Sequence, residues 1–270
     1  MRSVAIITLG RVGASDEVGS KAATLARLLG EGLRVPRGFC VPVPTLDDVE
    51  SEGVAEELGL ALAELGAGHV VVRSSALGED GAARSFAGVF ASVMPVKADV
   101  ECVRAALRQV RASAASPSAA AYRSALGYRE DTRMAAVVQE MIVPVSSGVM
   151  FTAHPVTGKR QFLVESSWGF CHTVVAGGST PDRFTVDVSG RVLEQVVAGK
   201  ERMVGLVGED IAVLPVDPAS RDTVSLSAGD LQDLVRLGGE CEALLGGPQD
   251  IEWASADGRM WIVQSRPITV

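Results

Sequence analysis

The sequence has 270 residues, 47% hydrophobic, 21% charged and 4% aromatic, with 33 acidic against 25 basic side chains and a formal net charge of −8. This composition belongs to a folded chain with a substantial core and excludes a disordered tail, a collagen-like repeat or a membrane channel. The acidic balance argues against a general nucleic-acid binder, yet a few placed arginines and backbone N–H groups suffice for a local phosphate site. No apolar run approaches the ~18–20 residues of a membrane helix. The N-terminal run Val4–Leu9 is too short for a secretory segment, so the chain reads as cytoplasmic. Cys40, Cys102, Cys171 and Cys241 are widely spaced, with no C-x-x-C pair, and read as free thiols.

Val4–Leu9 is the first expected strand. A glycine-containing loop follows and delivers Lys21 to a helix whose apolar positions are Ala22, Leu25, Ala26, Leu28 and Leu29. Cys40–Val43 is a short extended piece, and residues 46–66 read as one acidic amphipathic helix. Val70-Val71-Val72 is a compact strand running into Arg73-Ser74-Ser75. Helical spacing returns over 99–113 and 118–126. Strands are expected at Ala135–Val143, Val149–Ala153, Phe162–Glu165 and Phe184–Val188. A long helix runs from Ser227 to Leu245, with Asp230 in its first turn. Two strands, Asp250–Ala254 and Met260–Arg266, close the chain. This mixture predicts an α+β (α/β) protein of two lobes, 1–140 and 141–270, divided at Gln139-Glu140.

Five local patterns carry chemistry. Gly19-Ser20-Lys21 puts a lysine at a helix start, where free N–H groups favour an anion, although it is not a Walker A loop. Arg73-Ser74-Ser75, with Ser85-Phe86-Ala87-Gly88 beyond it, places an arginine at the end of an apolar strand. Gln139-Glu140-Met141 sets two polar residues in an apolar strand, where they need partners such as the edge of a nucleobase. Asp250 and Glu252 share one strand face, as do Gln264 and Arg266, an oxygen-rich set that suits magnesium and phosphate. The fifth is the bend Glu165-Ser166-Ser167-Trp168-Gly169-Phe170-Cys171-His172. Read from the residues alone, each pattern is also compatible with an ordinary structural role, and His69, His154 and His172 carry no catalytic assignment.

Taken together, the patterns resemble the N-terminal ATP-binding domain of the phosphoenolpyruvate synthase, pyruvate phosphate dikinase and rifampin phosphotransferase family. The matching text is V-G-S-K-A-A-T-L, V-P-R-G-F, V-R-S-S-A-x-x-E-D, S-F-A-G, V-Q-E-M, S-G-V-M-F-T, H-P-V-T-G, S-S-W-G, D-I-E-W and Q-S-R-P. These occur in the family's order from Gly19 to Pro267. The resemblance implies an ATP-grasp-like fold with the nucleotide cleft between the lobes, and ATP and Mg2+ as cofactors. It implies that Lys21 and Arg73 hold ATP phosphates and that Gly88 and Ser92 lie along the triphosphate. Gln139 and the Glu140–Met141 backbone would meet adenine. Glu252 and Gln264 would carry magnesium with Asp250 beside them, and Arg266 would contact the phosphoryl group in flight.

Three departures accompany the resemblance. The family's full-length enzymes continue into a swivelling domain, often with a phosphorylated histidine, and a substrate domain, whereas this sequence ends at Val270. The stretch between Lys21 and Arg73 is short, and Gly169-Phe170-Cys171-His172 stands where the family shows Gly-x-Gly-Glu. The expected activity is phosphoryl transfer from Mg-ATP to a small-molecule acceptor without a built-in phosphohistidine domain. The alternative is an ATP-binding subunit that phosphorylates a histidine on a partner protein. A regulatory module without turnover is disfavoured by the intact Glu252, Gln264 and Arg266.

The terminal hairpin carries a sharper expectation. Opposed residues of an antiparallel pair point to the same face. A two-residue Asp257-Gly258 turn without irregularity would set Glu252 opposite Val263 and turn Gln264 to the other side. A shared metal therefore demands a bulge or an odd-length loop. A three-residue loop would pair Asp250 with Gln264 and Glu252 with Ile262.

Overall fold

The computed structural model describes residues 6–13, 17–78, 89–125, 132–170 and 180–268. The chain forms two compact units, one of Met1–Glu31 with Pro36–Met141 and one of Gly32–Val35 with Ile142–Val270. Each has its own antiparallel sheet with helices, a mixed α+β architecture. Glycine-rich residues 171–179, with Cys171, His172 and the Gly177-Gly178 pair, lie outside the described residues, as does Gly88.

The first unit orders its strands β1-β2-β5-β3-β4. They are β1 (Ile7–Thr8), β2 (Gly38–Val41), β3 (His69–Ala76), β4 (Ser92–Lys97) and β5 (Met134–Glu140). Helices α1 (Gly19–Gly30), α2 (Val43–Asp47), α3 (Glu52–Leu65), α4 (Val100–Ser113) and α5 (Pro117–Ala125) complete it. Val70 and Val72 of β3, Val138 of β5, Leu58 of α3 and Leu107 of α4 belong to one buried cluster. The single helix expected over 46–66 is two. Ser51 caps α3 by accepting Val54 N–H at 3.3 Å. Arginines of α4 take the carbonyls released at the break: Arg111 donates to Asp47 O at 2.9 Å and Arg104 to Val49 O at 3.1 Å. Helical periodicity continues across 46–66, but the cap and these donors make the interruption cheaper than continuation. Strand β4, not foreseen, pairs with β3 and contains a cis Met94–Pro95 bond.

The second unit carries a six-stranded sheet ordered β13-β12-β6-β7-β8-β9 and a separate β10-β11 hairpin. Its strands are β6 (Ser146–Phe151), β7 (Gln161–Trp168), β8 (Asp182–Asp187), β9 (Val192–Val196), β10 (Arg202–Val207), β11 (Asp210–Pro215), β12 (Gln249–Ala256) and β13 (Arg259–Pro267). Strands β9–β11 were not foreseen. All five residues of β9 are exposed, so its sequence lacks the buried alternation that betrays a strand. Helix α6 (Ala228–Leu245) has the expected start, with Ser227 accepting Asp230 N–H and donating to the Asp230 carboxylate at 2.7 Å. It covers one face of the sheet. Gly238 permits this closeness, because a Cβ there would stand 2.5 Å from Met150 Cε and 3.2 Å from Phe162 Cε1. Ile251, Trp253, Met150, Phe162, Val164 and Phe184 point to this face and are buried. Register puts Asp250, Glu252, Val149, Phe151, Leu163 and Glu165 on the opposite, half-buried face.

One buried ion pair fastens the excursion between β9 and α6. Asp182 and Lys200 are both fully buried and pair at 2.5 Å. Asp182 also accepts from Ala198 N at 2.9 Å, Ser225 N at 2.8 Å and Ser225 Oγ at 2.7 Å, so both oxygens are satisfied. Among the other titrating groups, burial pushes the Cys241 thiol up to about 12. Cys40 is buried and Cys102 exposed. Lys200→Met leaves Asp182 buried without its cation, a loss of about 3–5 kcal/mol. Urea unfolding monitored by tryptophan fluorescence reads it; a loss below 1 kcal/mol would contradict this assignment of the pair as a fastening.

Candidate active site

In the first unit, two of the sequence patterns form one structural cluster. Gly19 opens α1 with φ of 73°, and a Cβ there would overlap the Ser75 carbonyl. Glycine therefore lets the start of α1 lie directly on the end of β3. Ser75 Oγ donates to Val18 O at 2.7 Å and accepts Ala22 N–H at 3.0 Å. The Ser75 hydroxyl thus caps α1. One turn in, Lys21 is buried and donates to Ser74 O at 2.8 Å. Arg73 sits half-buried between Ser92 on β4 and Val137 on β5. Lysine and arginine are thereby brought to the same strand end, and exposed Ser92 stands opposite the arginine.

Toward the other end of β5, Gln139 is buried and donates through Nε2 to Pro36 O at 3.3 Å. Glu140 pairs with Arg37 at 3.2 Å, and its N–H bonds to Arg37 O at 2.8 Å. Met141 N–H bonds to His69 O at 3.1 Å. Both N–H groups of the Glu140–Met141 segment are therefore engaged within the unit. Of the histidines, His154 uses Nδ1 to accept Val156 and Thr157 N–H at 3.2 Å each, the capping of a turn.

In the second unit, the β12–β13 hairpin solves the parity problem in its own way. The turn is the two-residue Asp257-Gly258 connection, with φ of 52° and 66°, as an Asp-Gly hairpin turn requires. Ala256 pairs with Arg259, so the three-residue loop is wrong. A β-bulge corrects the parity instead. Trp253 opposes Ile262 while Glu252 opposes Gln264, which leaves Val263 as the extra residue. Glu252 and Gln264 thus share the open face. Asp250 opposes Arg266, not Gln264, and takes two hydrogen bonds from it, Nε at 2.8 Å and Nη2 at 2.6 Å to the same carboxylate oxygen. Burial raises the pKa of Asp250 above the ordinary carboxylate value, and the charge of Glu252 adds to this against the pull of Arg266.

These residues give each unit one polar cluster: a lysine–arginine pair in the first, an amide, two carboxylates and an arginine in the second. The family model for the pyruvate phosphate dikinase AMP/ATP-binding domain matches residues 49–270. The chain belongs to that family. A probable phosphoenolpyruvate synthase of Archaeoglobus fulgidus is 32% identical, covering 93% of this chain and 40% of the relative. The prodigiosin synthesizing transferase PigC of Serratia marcescens is 34% identical over 93% of this chain and 31% of its own. A rifampicin phosphotransferase of Streptomyces sviceus is 34% identical over 93% of this chain and 34% of its own. The chain thus spans 31–40% of the length of these three relatives. As an AMP/ATP-binding domain it has its two polar clusters on secondary structure, not on loops, which holds their geometry firmly. Among the described residues, no helix is long and apolar enough to cross a membrane.

The raised pKa of Asp250 has a measurable sign. A carboxyl raised on folding contributes stability that is present below its unfolded pKa and lost as pH rises through the folded pKa. Asp250→Asn removes that loss. Relative to the parent, the ligand-free variant gains stability between about pH 4 and about pH 7, whatever its offset from losing the Arg266 pair. Urea unfolding at both pH values tests this; an unchanged or oppositely signed difference contradicts it.

Proposed function

We propose that this chain is the ATP-binding, phosphoryl-donating part of an ATP-dependent phosphotransferase with an ATP-grasp-like fold. Lys21 and Arg73, with Ser92 and Gly88, hold phosphates. Gln139 and the Glu140–Met141 segment take adenine. Since the N–H groups of that segment bond to Arg37 and His69 carbonyls, the base is held chiefly by acceptors and apolar contact. Glu252 and Gln264 would hold magnesium. Their fit rests on an observation of the site: two oxygen-bearing side chains oppose each other beside a desolvated carboxylate, a donor set matched to a hard cation. Bound there, magnesium would neutralise phosphate charge.

The observation that carries this reading is the Glu252–Gln264 opposition next to the Asp250–Arg266 pair. Asp250 fixes the guanidinium through two bonds, so Arg266 needs little reorganisation when negative charge shifts onto the transferred group. An acceptor oxygen bonds to the γ phosphorus as the bond to ADP breaks, and the acceptor's proton departs to solvent. Asp250 is thereby a positioning residue before it is a metal ligand. The preferred acceptor is a small molecule. A second reading is transfer to a histidine side chain of a protein.

Calorimetry and product analysis test both. Mg-ATP is expected to bind, and Arg266→Ala to retain binding while turnover falls about 100-fold or more. Equal loss of binding and turnover would make Arg266 a ground-state clamp, and absence of Mg-ATP binding would overturn the reading. ADP formed with small acceptors supports direct transfer. Nucleotide consumption that requires an added histidine-bearing polypeptide supports the second reading.

A further inference from the structure

The pairs that carry the second cluster, from Gln249–Pro267 to Glu252–Gln264, stand apart from the rest of the β12–β13 ladder. The bulge at Val263 separates them from the turn, and their far end closes on Pro267, which brings no N–H to the ladder. Yet the register of this short segment decides which face Arg266 takes. On the face turned to α6, two polar side chains interrupt the apolar row of Ile251 and Trp253: Gln249 and Ser265, 1% and 2% exposed. Ser265 Oγ donates to Gln249 Oε1 at 3.0 Å. Gln249 Nε2 donates to Gly247 O at 2.8 Å and Pro248 O at 3.2 Å, in the segment that leaves α6. Buried Thr152, just beyond β6, accepts Gln249 N–H through Oγ1 at 2.9 Å and donates its own N–H to Gln249 O at 2.9 Å. Past Pro267, Ile268 N–H bonds to Pro248 O at 3.0 Å.

These bonds select one register. Gln249 opposes Pro267, so Ser265 is its diagonal neighbour on the same face, within reach of a long side chain. Without the bulge, the pairing that begins at Ala256–Arg259 would continue to Asp250–Ser265 and Gln249–Arg266. Ser265 would then leave for the open face, and Arg266 would turn to the side covered by α6. Gln249 Oε1 would lose its hydroxyl partner while buried. We propose that Gln249 and Ser265 are positioning residues, a lock that holds Arg266 opposite Asp250 from the other face of the sheet. Gln249 directly precedes Asp250 and Ser265 directly precedes Arg266, so a bond between the first two fixes the backbone that carries the second two. Neither side chain reaches the open face. The consequence for catalysis rests on the phosphotransfer reading above, in which Arg266 meets the transferred group.

The signature is the Nε–H of Arg266, which its bond to the Asp250 carboxylate protects from exchange with water. Nuclear magnetic resonance of the ligand-free full chain at neutral pH reads its exchange rate. Ser265→Ala and Gln249→Leu should each accelerate that exchange about tenfold, as expected for the loss of one buried hydrogen bond. The backbone amides of Met150 and Val164, paired in the middle of the same sheet, should keep the parental rate. The double variant should exchange little faster than the faster single one, because both changes remove the same bond. Unchanged Arg266 exchange in either single variant would overturn the lock. Equal acceleration at Met150 and Val164 would overturn it too, since the pair would then serve general stability and not the placement of Arg266. Calorimetry with Mg-AMP-PNP is run separately on the parent; failure to bind there overturns the nucleotide reading and leaves the exchange result, obtained without nucleotide, as the test of the lock.

Discussion

Side chains of a strand alternate faces, and this parity decides whether the second unit has a site at all. A regular hairpin closed by Asp257-Gly258 would hide Gln264 and Arg266 on the face covered by α6. One extra residue, Val263, restores them to the face that carries Asp250 and Glu252. A bulge costs ladder hydrogen bonds, and such irregularities concentrate where a strand must re-aim functional side chains. The tight turn and the bulge are complementary: the turn uses the Asp-Gly preference for positive φ, and the bulge undoes its consequence for parity.

The first unit reaches its cluster by a different constraint, the close approach of backbone to backbone. Gly19 lies where any side chain would collide with the Ser75 carbonyl, so α1 starts against the end of β3. The Ser75 hydroxyl bonds both sides of that junction. Lys21 is buried there with its ammonium on Ser74 O, which desolvates a cation beside Arg73. The lysine and the arginine thus reach one strand end through backbone placement and not through their spacing in sequence. In the proposed reading, position more than the count of charges lets an acidic chain receive a triphosphate.

The sequence made strands with clear apolar runs legible, because Val70–Val72 and Ala135–Val138 bury both faces and need no alternation to be seen. It also singled out Lys21, Arg73, Glu252, Gln264 and Arg266 as candidates, since each interrupts or ends an apolar element. It did not reveal the break between α2 and α3, because the donors that stabilise it, Arg104 and Arg111, lie about 60 residues downstream. Nor did it expose the Asp182–Lys200 pair, whose partners are brought together by the β9 turn and not by spacing. The partner of Asp250 was misjudged for a related reason. Loop length and bulge position both restore parity, and only the actual register distinguishes Arg266 from Gln264.

The central claim is that the bulge lets Glu252 and Gln264 share one cation with ATP. A double-mutant cycle with Mn2+-ATP, read by the electron paramagnetic resonance of bound manganese, tests it most directly. Glu252→Leu and Gln264→Leu should each weaken Mn2+-ATP, and the double variant should be little worse than the more severe single one, because both ligands act through one ion. Additive losses, or a loss confined to one of the two variants, would contradict a shared site.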